Sequence, residues 1–278
     1  MATGAPMHSR VEADVEAGSD LWACLRQVSG IALDWYRPNV LRRRLETWMA
    51  RQGLRGSAEL LEFLTAYPGK VSELIAYLTV DFSEFFRQRG VFEYLRAHVF
   101  QTWLPGRPFR ALSLGCSRGQ EAYSLAIVCH QVWQWTVDWY VIGVDIDGLN
   151  LRQALRGVYG ARELRHVTDD ERVDFFEPTA SSGERYRIRP IVTQRVRFIQ
   201  GDVFRLPVAS EVADLVLLRH LLIFIQPRYH DKILAEVHRV LRPGGRLVLG
   251  SVERIPPVGE AAWVPEAPPW RVFRKGAA

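Results

Sequence analysis

Residues 112–124, Leu-Ser-Leu-Gly-Cys-Ser-Arg-Gly-Gln-Glu-Ala-Tyr-Ser, run from an apolar strand through a glycine-containing loop into the start of a helix. Gly115 and Gly119 can adopt backbone conformations closed to other residues and let a ligand approach the main chain, while Gln120 and Glu121 fall near the first helical turn. Such a turn is as often structural as ligand-binding. The next strand strengthens the ligand reading: Trp139 to Asp145 is apolar throughout and ends on an acid. At the carboxyl edge of a parallel sheet that carboxylate can accept both hydroxyls of a ribose.

The spacing from loop to acid suits a Rossmann-like cofactor site without choosing between a dinucleotide and S-adenosylmethionine. Later elements make the choice. Val196 to Val203 is a short strand ending in Gly201-Asp202, and Asp214 to His220 is a further buried strand that delivers Arg219 and His220. The dense G-x-G-x-x-G pattern favoured by nicotinamide enzymes is absent. Glycine loop, ribose acid, Gly-Asp and Asp-strand follow the order of class I methyltransferases. The series closes with Val240 to Gly250, a helix stopped by Pro243-Gly244-Gly245 and followed by a strand.

Four segments carry a more specific resemblance. Leu78-Thr-Val-Asp-Phe-Ser-Glu-Phe-Phe-Arg87 is similar to a T-N-x-T-x-F-F-R signature, and Gly115 to Ser124 to G-C-S-T-G-E-E-P-Y-S. Asp145-Ile-Asp147 with Ala154 to Tyr159 resembles D-I-D…A-x-x-G-x-Y, and Arg219 to Ile225 resembles R-N-V-L-I-Y-F. Over nearly the whole chain, from about Leu21 to Arg274, the sequence resembles the CheR family of chemotaxis receptor glutamate O-methyltransferases.

The resemblance implies an α/β chain in which an N-terminal all-α domain precedes a Rossmann-like class I methyltransferase domain with a small β insertion. It implies S-adenosylmethionine as cofactor and S-adenosylhomocysteine as product. On the family's motifs, Asp81, Ser83, Arg87, Gly115, Gly119, Glu121, Asp145, Asp202, Val203 and Arg219 are expected at the cofactor, with Arg87, Arg219, His220 and Phe224 at the chemistry. Glu121 would face the methionine or sulfonium end, Asp145 the ribose and Asp202 the adenine amine. The bland alternatives are a helix-start charge, a strand-end cap and a Gly-Asp turn. Asp81 is equally readable as the N-cap of a helix carrying Phe85 and Phe86, and Arg87 as that helix's surface arginine.

Methyl transfer to a carboxylate is a displacement at a sulfonium methyl by a nucleophile already ionised at neutral pH, so no strong general base is needed. The site must align the reacting groups and exclude water. An arginine, Arg87 or Arg219, can hold the acceptor carboxylate or the cofactor's own carboxylate through a bidentate fork.

Departures from the family pattern bear on the acceptor. Arg118 replaces Thr, Gln120 the first Glu and Ala122 a Pro, while His220 stands for Asn and Phe224 for Tyr. Loss of that hydroxyl is expected to slow or redirect the chemistry. His220 reads either as a base or as a buried histidine bonded to a backbone carbonyl.

These residues need elements to position them. At 278 residues and 48% hydrophobic content the chain can bury a large core in one or two domains. Residues 1–18 are expected to fray, and 19–100 keep helical spacing, as in Leu41, Leu45 and Trp48. A linker is expected at 101–108, where Pro105 and Pro108 cannot continue a helix, and strands alternate with helices over 109–278. The polar stretch 173–195 alternates like a short exposed strand pair; the family's small β-subdomain falls here, and its shortness argues against tethering a receptor's C-terminal peptide.

No apolar run approaches the roughly 20 residues of a membrane span. Cys24, Cys116 and Cys129 have no metal-ligand spacing, which points to no metal and a reducing, cytoplasmic setting. The net charge of +5 is uneven: Arg37, Arg42, Arg43, Arg44, Arg51 and Arg55 crowd one stretch. Arg42, Arg43, Arg44 and Arg51 are read either as a solvated helix face or as a docking face for an acidic partner, with nucleic acid the less favoured partner. The resemblance points to the acidic methylation helices of a chemoreceptor. Two alternatives stand beside receptor glutamate methylation: a binding module with little turnover, and a methyltransferase for a small molecule or RNA.

Overall fold

The computed structural model describes residues 22, 25–27, 29, 31–78, 83–103, 106–179, 184–256 and 262–276. Two compact units emerge, Met1–Val80 with Phe224–Gln226, and Asp81–Ile223 with Pro227–Ala278. The expected fraying of 1–18 falls outside the described residues.

The first unit is helical. Helix α1 (Pro38–Gln52) starts on a proline, whose missing N–H is no loss there, and ends at Gly53 in the left-handed region at φ 75°. With α2 (Ser57–Ala66) and α3 (Gly69–Leu78) it closes a core of Leu41, Leu45, Trp48, Leu60, Leu64 and Leu74. The i, i+4, i+7 spacing of the α1 residues is what turns them to one face. The segment Phe224–Gln226 joins this unit through Arg37 N–H to Phe224 O (2.8 Å) and Gln226 Nε2 to the carbonyls of Asp34 and Tyr36 (2.7 and 3.0 Å).

The second unit is built on a seven-stranded sheet of order β6-β2-β1-β7-β8-β10-β9. Its parallel part comprises β1 (Phe109–Leu114), β2 (Trp139–Asp145), β6 (Val196–Gln200), β7 (Ala213–Leu218) and β8 (Leu241–Leu249). The antiparallel edge is β9 (Trp263–Ala267) and β10 (Val272–Lys275). From β1 the chain moves outward to β2 and β6, then returns to β7 on the other side, so the strand order reverses between β1 and β7. In open α/β sheets such a reversal is where loops leaving the carboxyl ends of the two strands diverge and ligands bind.

Helices α4 (Gly90–Leu95), α5 (Gln120–Trp133), α6 (Gly148–Arg156), α7 (Asp169–Phe175), the single turn α8 (Pro190–Thr193) and α9 (His230–Val240) complete the unit. A three-stranded sheet, β3-β5-β4, adds β3 (Val158–Gly160), β4 (Phe176–Pro178) and β5 (Arg185–Ile188). The expected strand pair at 173–195 is therefore β4 and β5, with β5 central because it also pairs β3 from outside that stretch.

The structure divides the chain about 20 residues earlier than the 101–108 linker. Phe85, Phe86, Phe92, Leu95, Val99 and Phe100 are buried with Phe109 and Trp133 in the core of the second unit. Helical spacing reveals which face is buried and is silent on the body it faces. The expected helix over Phe85 and Phe86 is also replaced by a turn, since Phe86 and Gln88 sit at φ 52° and 59°, which no helix accommodates. At the other end, α9 yields to extended backbone at Leu241, before Pro243, and Pro-Gly-Gly falls inside β8, where its register against β7 shifts.

Candidate functional site

Three loops meet the carboxyl edge of the sheet around the β1/β7 reversal. The first leaves β1, with Gly115 at φ 67°, Ser117 at 49° and Gly119 at 86°. A side chain on Gly119 would be doubly penalised, since its Cβ would stand 2.7 Å from the Phe198 ring. The second is the turn at Phe86, Arg87 and Gln88, and the third leaves β7 through Arg219 to His220, at φ 61°. Four of the seven non-glycine residues with positive φ among the described residues, Phe86, Gln88, Ser117 and His220, lie in these three loops. Backbone strain of this kind persists where surrounding structure over-determines it, and it gathers at ligand sites.

Arg219 ties the loops together. Its side chain is 1% exposed, and Nη1 donates to Glu121 Oε2 (2.9 Å) while Nη2 donates to Arg87 O (2.8 Å) and Gln88 Oε1 (2.7 Å). The guanidinium also lies over the Phe92 ring at 5.6 Å. Glu121, on the first turn of α5, accepts from Ser113 Oγ at the other oxygen (2.8 Å), so its carboxylate is drawn toward the sheet. Arg219 is thus a cross-link between β7, α5 and the Arg87 turn.

The Arg87 turn is anchored from below. Phe85 packs edge-on against Tyr159 (4.8 Å) and Phe176 (5.0 Å), and Phe86 against Phe92 (5.4 Å). Phe86 N–H donates to Ser124 Oγ (2.8 Å), and Arg89 forks onto buried Glu171 (2.9 and 2.8 Å). Burial alone would raise the Glu171 carboxyl; the hydrogen bonds from Arg89 and Thr168 outweigh it and hold it below its ordinary value. Half-buried Arg87 is held below the ordinary arginine value by burial first and by Arg219 second. Two guanidiniums close enough to repel each other make a place suited to a carboxylate.

Asp145 ends β2 beneath the glycine loop, 8% exposed. Its Oδ2 accepts Ser117 N–H (2.7 Å) and its Oδ1 accepts Asp147 N–H (2.9 Å). As a carboxylate it can only accept, the role that the two hydroxyls of a vicinal diol would require. Asp202 forms a turn, accepting Phe204 N–H at Oδ1 (3.0 Å), with Val203 buried beside it. Half-buried Ser83 precedes the Arg87 turn, while Asp81 lies outside the described residues.

His220 Nε2 is buried without a hydrogen-bond partner, and its pKa is lowered to about 4 by burial and then by Arg87 and Arg219. The ring is therefore neutral across the physiological range. Phe224 belongs to the helical unit, whereas Arg87, Arg219, His220 and Glu121 belong to the second.

Two departures from the family pattern have a local explanation. Gln120 donates to Glu163 Oε1 (2.7 Å), Arg118 pairs with the same oxygen at 3.5 Å, and Gly160 N–H donates to Oε2 (2.9 Å). Arg118 and Gln120 thus share a carboxylate that sequence reasoning overlooked, as it did Ser113, Gln88 and Glu253. Glu163 and Glu253 come from distant elements, whereas Ser113, inside the 112–124 motif, and Gln88, beside Arg87, were local.

On α1, the four arginines separate. Arg44 donates to Tyr77 O (2.8 Å), and Arg44 and the exposed Arg51 lie at 5.4 and 5.2 Å from the Tyr77 ring; Arg42 and Arg43 are exposed. Among the described residues no helix is long and apolar enough to cross a membrane, and no group of His, Cys, Asp and Glu could hold a metal ion.

Residues 19–79 match the family model of the CheR methyltransferase all-alpha domain, and residues 81–267 that of the CheR methyltransferase SAM binding domain. The break between the two matches coincides with the structural division. Chemotaxis protein methyltransferase Cher2 of Pseudomonas putida is 26% identical over 242 residues, covering 83% of this chain and 87% of its own. Chemotaxis protein methyltransferase 1 of Pseudomonas aeruginosa is 26% identical over 240 residues, covering 83% and 87%. A probable chemotaxis protein methyltransferase of Rhizobium etli is 27% identical over 245 residues, covering 85% and 91%.

Proposed function

Because the chain belongs to the CheR methyltransferase family, and is therefore an S-adenosylmethionine-dependent methyltransferase, we propose that it methylates glutamate side chains on chemoreceptor cytoplasmic domains. The observation that carries this reading is the convergence, at the β1/β7 reversal, of two arginines and a strained glycine loop with Glu121 and Asp145, a charge arrangement suited to an anionic acceptor rather than to one that must first lose a proton to a base. A glutamate acceptor needs no such base.

In this reading Asp145 accepts the ribose hydroxyls, Gly115 and Gly119 admit the cofactor to the main chain, and Glu121 faces its methionine end. Asp202 and Val203 border the adenine, with Asp81 and Ser83 completing the cofactor side. S-adenosylmethionine supplies a methyl group activated on a sulfonium. Arg219, both terminal nitrogens already donating, orients Glu121 and the Arg87 turn. Arg87 holds the acceptor carboxylate, which places the nucleophile and offsets its loss of water. Phe224 carries no hydroxyl, so any role near the acceptor is steric. Arg42 and Arg43 supply positive charge for the acidic methylation helices, at the cytoplasmic face of the receptor.

The test is incubation with methyl-labelled cofactor and a panel of receptor cytoplasmic domains, followed by peptide mapping. Label on glutamate, released by alkali as volatile methanol, is the expected result. A folded, cofactor-binding protein that labels no glutamate in any domain, with Phe224→Tyr failing to restore labelling, would replace this reading with a non-catalytic one.

A further inference from the structure

Glu253 lies in the turn after β8, 3% exposed, and none of the sequence motifs includes it. Three backbone N–H groups converge on its carboxylate: Oε2 accepts from His220 (2.8 Å) and Gly250 (2.7 Å), and Oε1 accepts from Leu222 (2.7 Å). The two ends of the loop leaving β7 are therefore pinned to the turn leaving β8 through one side chain. Gly250 makes room for it, since a Cβ there would stand 2.6 Å from Glu253 Oε2 and 3.0 Å from His220 N. Between the two pinned amides the backbone holds His220 at φ 61°, a conformation an L-residue keeps only when something else enforces it. His220 in turn directs a buried, unpartnered Nε2, close enough to Arg87 and Arg219 for both charges to act on its ring.

We propose that Glu253 is a positioning residue for methyl transfer: by gathering the amides of His220, Leu222 and Gly250 it holds His220 in its left-handed conformation beside Arg87 and Arg219. The role rests on the methyltransferase reading above, but its physical content is independent of the acceptor. A carboxylate is required because all three partners are donors. Glutamine matches its shape and offers only one acceptor atom, leaving its NH2 group against at least one of the amides.

The experiment is a cycle of Glu253→Gln, His220→Gly and the double variant, read by kcat, acceptor KM and S-adenosylhomocysteine affinity. Glu253→Gln is expected to cut kcat about 10²-fold while changing acceptor KM less than about threefold, and to weaken S-adenosylhomocysteine binding about tenfold. Glycine takes φ 61° without strain, so in the His220→Gly background the same change should cost less than about tenfold in kcat. Equal costs in both backgrounds, or a lowered Tm with kcat and affinity unchanged, would overturn the proposal. If the wild type methylates no receptor domain, the receptor reading fails while the affinity cycle still decides this one. Should Glu253→Gln not fold, hydrogen exchange on the wild type decides: the His220 and Leu222 amides should be protected like those of β7, and rapid exchange would refute the pinning.

Discussion

Replacing Asp145 separates its two duties. In the structure its carboxylate accepts the Ser117 and Asp147 amides at 2.7 and 2.9 Å, holding the glycine loop over the end of β2. Asp145→Ala leaves both donors without that partner, and each buried orphan costs about 1–3 kcal/mol, so the ligand-free protein should lose about 2–6 kcal/mol. If the same oxygens also accept the ribose hydroxyls, loss of even one charged hydrogen bond, about 1.5 kcal/mol, weakens binding about tenfold on top of that. Asp145→Asn retains an acceptor for one amide, so its ligand-free Tm should lie nearer the wild type while its affinity still falls. Titration calorimetry with S-adenosylhomocysteine gives the affinity, and thermal unfolding without ligand gives the stability. Folded Asp145→Asn and Asp145→Ala proteins that bind S-adenosylhomocysteine within about twofold of the wild type would remove Asp145 from the cofactor site, whatever their Tm.

Arg87→Ala should lower kcat about 10²-fold with S-adenosylhomocysteine affinity changed far less, and Phe224→Tyr should be neutral or faster; steady-state methylation kinetics check both. Arg42→Glu with Arg43→Glu should weaken receptor methylation in a salt-sensitive way and leave cofactor affinity intact by calorimetry, because these two side chains are exposed, while Arg44 and Arg51 lie against Tyr77. The His220 ring should titrate by NMR near 4 and not near 6.5; the unfolded chain takes up that proton at higher pH than the folded one, so stability falls as pH drops from 6.5 toward 4, and His220→Asn should flatten that slope. Arg89→Ala unpairs buried Glu171 and should cost about 2–3 kcal/mol, a drop in Tm of roughly 4–10 °C. The contribution of that pair is present above the ordinary carboxylate value and lost as pH falls through the lowered folded one, so the variant should show a weaker acid dependence there.

The loop after β1, the acid ending β2 and the pair ending β7 were legible because each is a short-range pattern: an apolar strand must be followed by its turn, and the turn's residues then face the carboxyl edge. The helical core of the first unit was legible for a similar reason, the spacing of Leu41, Leu45 and Trp48 dictating one buried face. Where the pattern is local but the partner is distant, the reading ran out. The helical run over 90–100 shows an apolar stripe without showing that Phe109 and Trp133 will receive it. Phe224, five residues after Arg219, is captured by Arg37 nearly two hundred residues upstream, a pairing no periodicity encodes. Arg44 and Arg51 looked like a free basic face because Tyr77 is on another helix.

The same distinction separates the roles proposed for the two arginines of the site. By sequence Arg87 and Arg219 are interchangeable candidates for a carboxylate clamp. Burial separates them. Arg219 has lost nearly all contact with water and spends both terminal nitrogens on Glu121, Gln88 and the Arg87 carbonyl. Displacing Glu121 or the Arg87 carbonyl to bind a substrate would give up a hydrogen bond of a buried guanidinium, at a cost comparable to the bond gained. Arg87 stays half-buried on a turn that Arg219 itself helps to hold, its proton affinity lowered first by burial and then by Arg219. In the proposed reaction an acceptor carboxylate at Arg87 would offset the repulsion between the two guanidiniums, so that their proximity would favour an anionic acceptor.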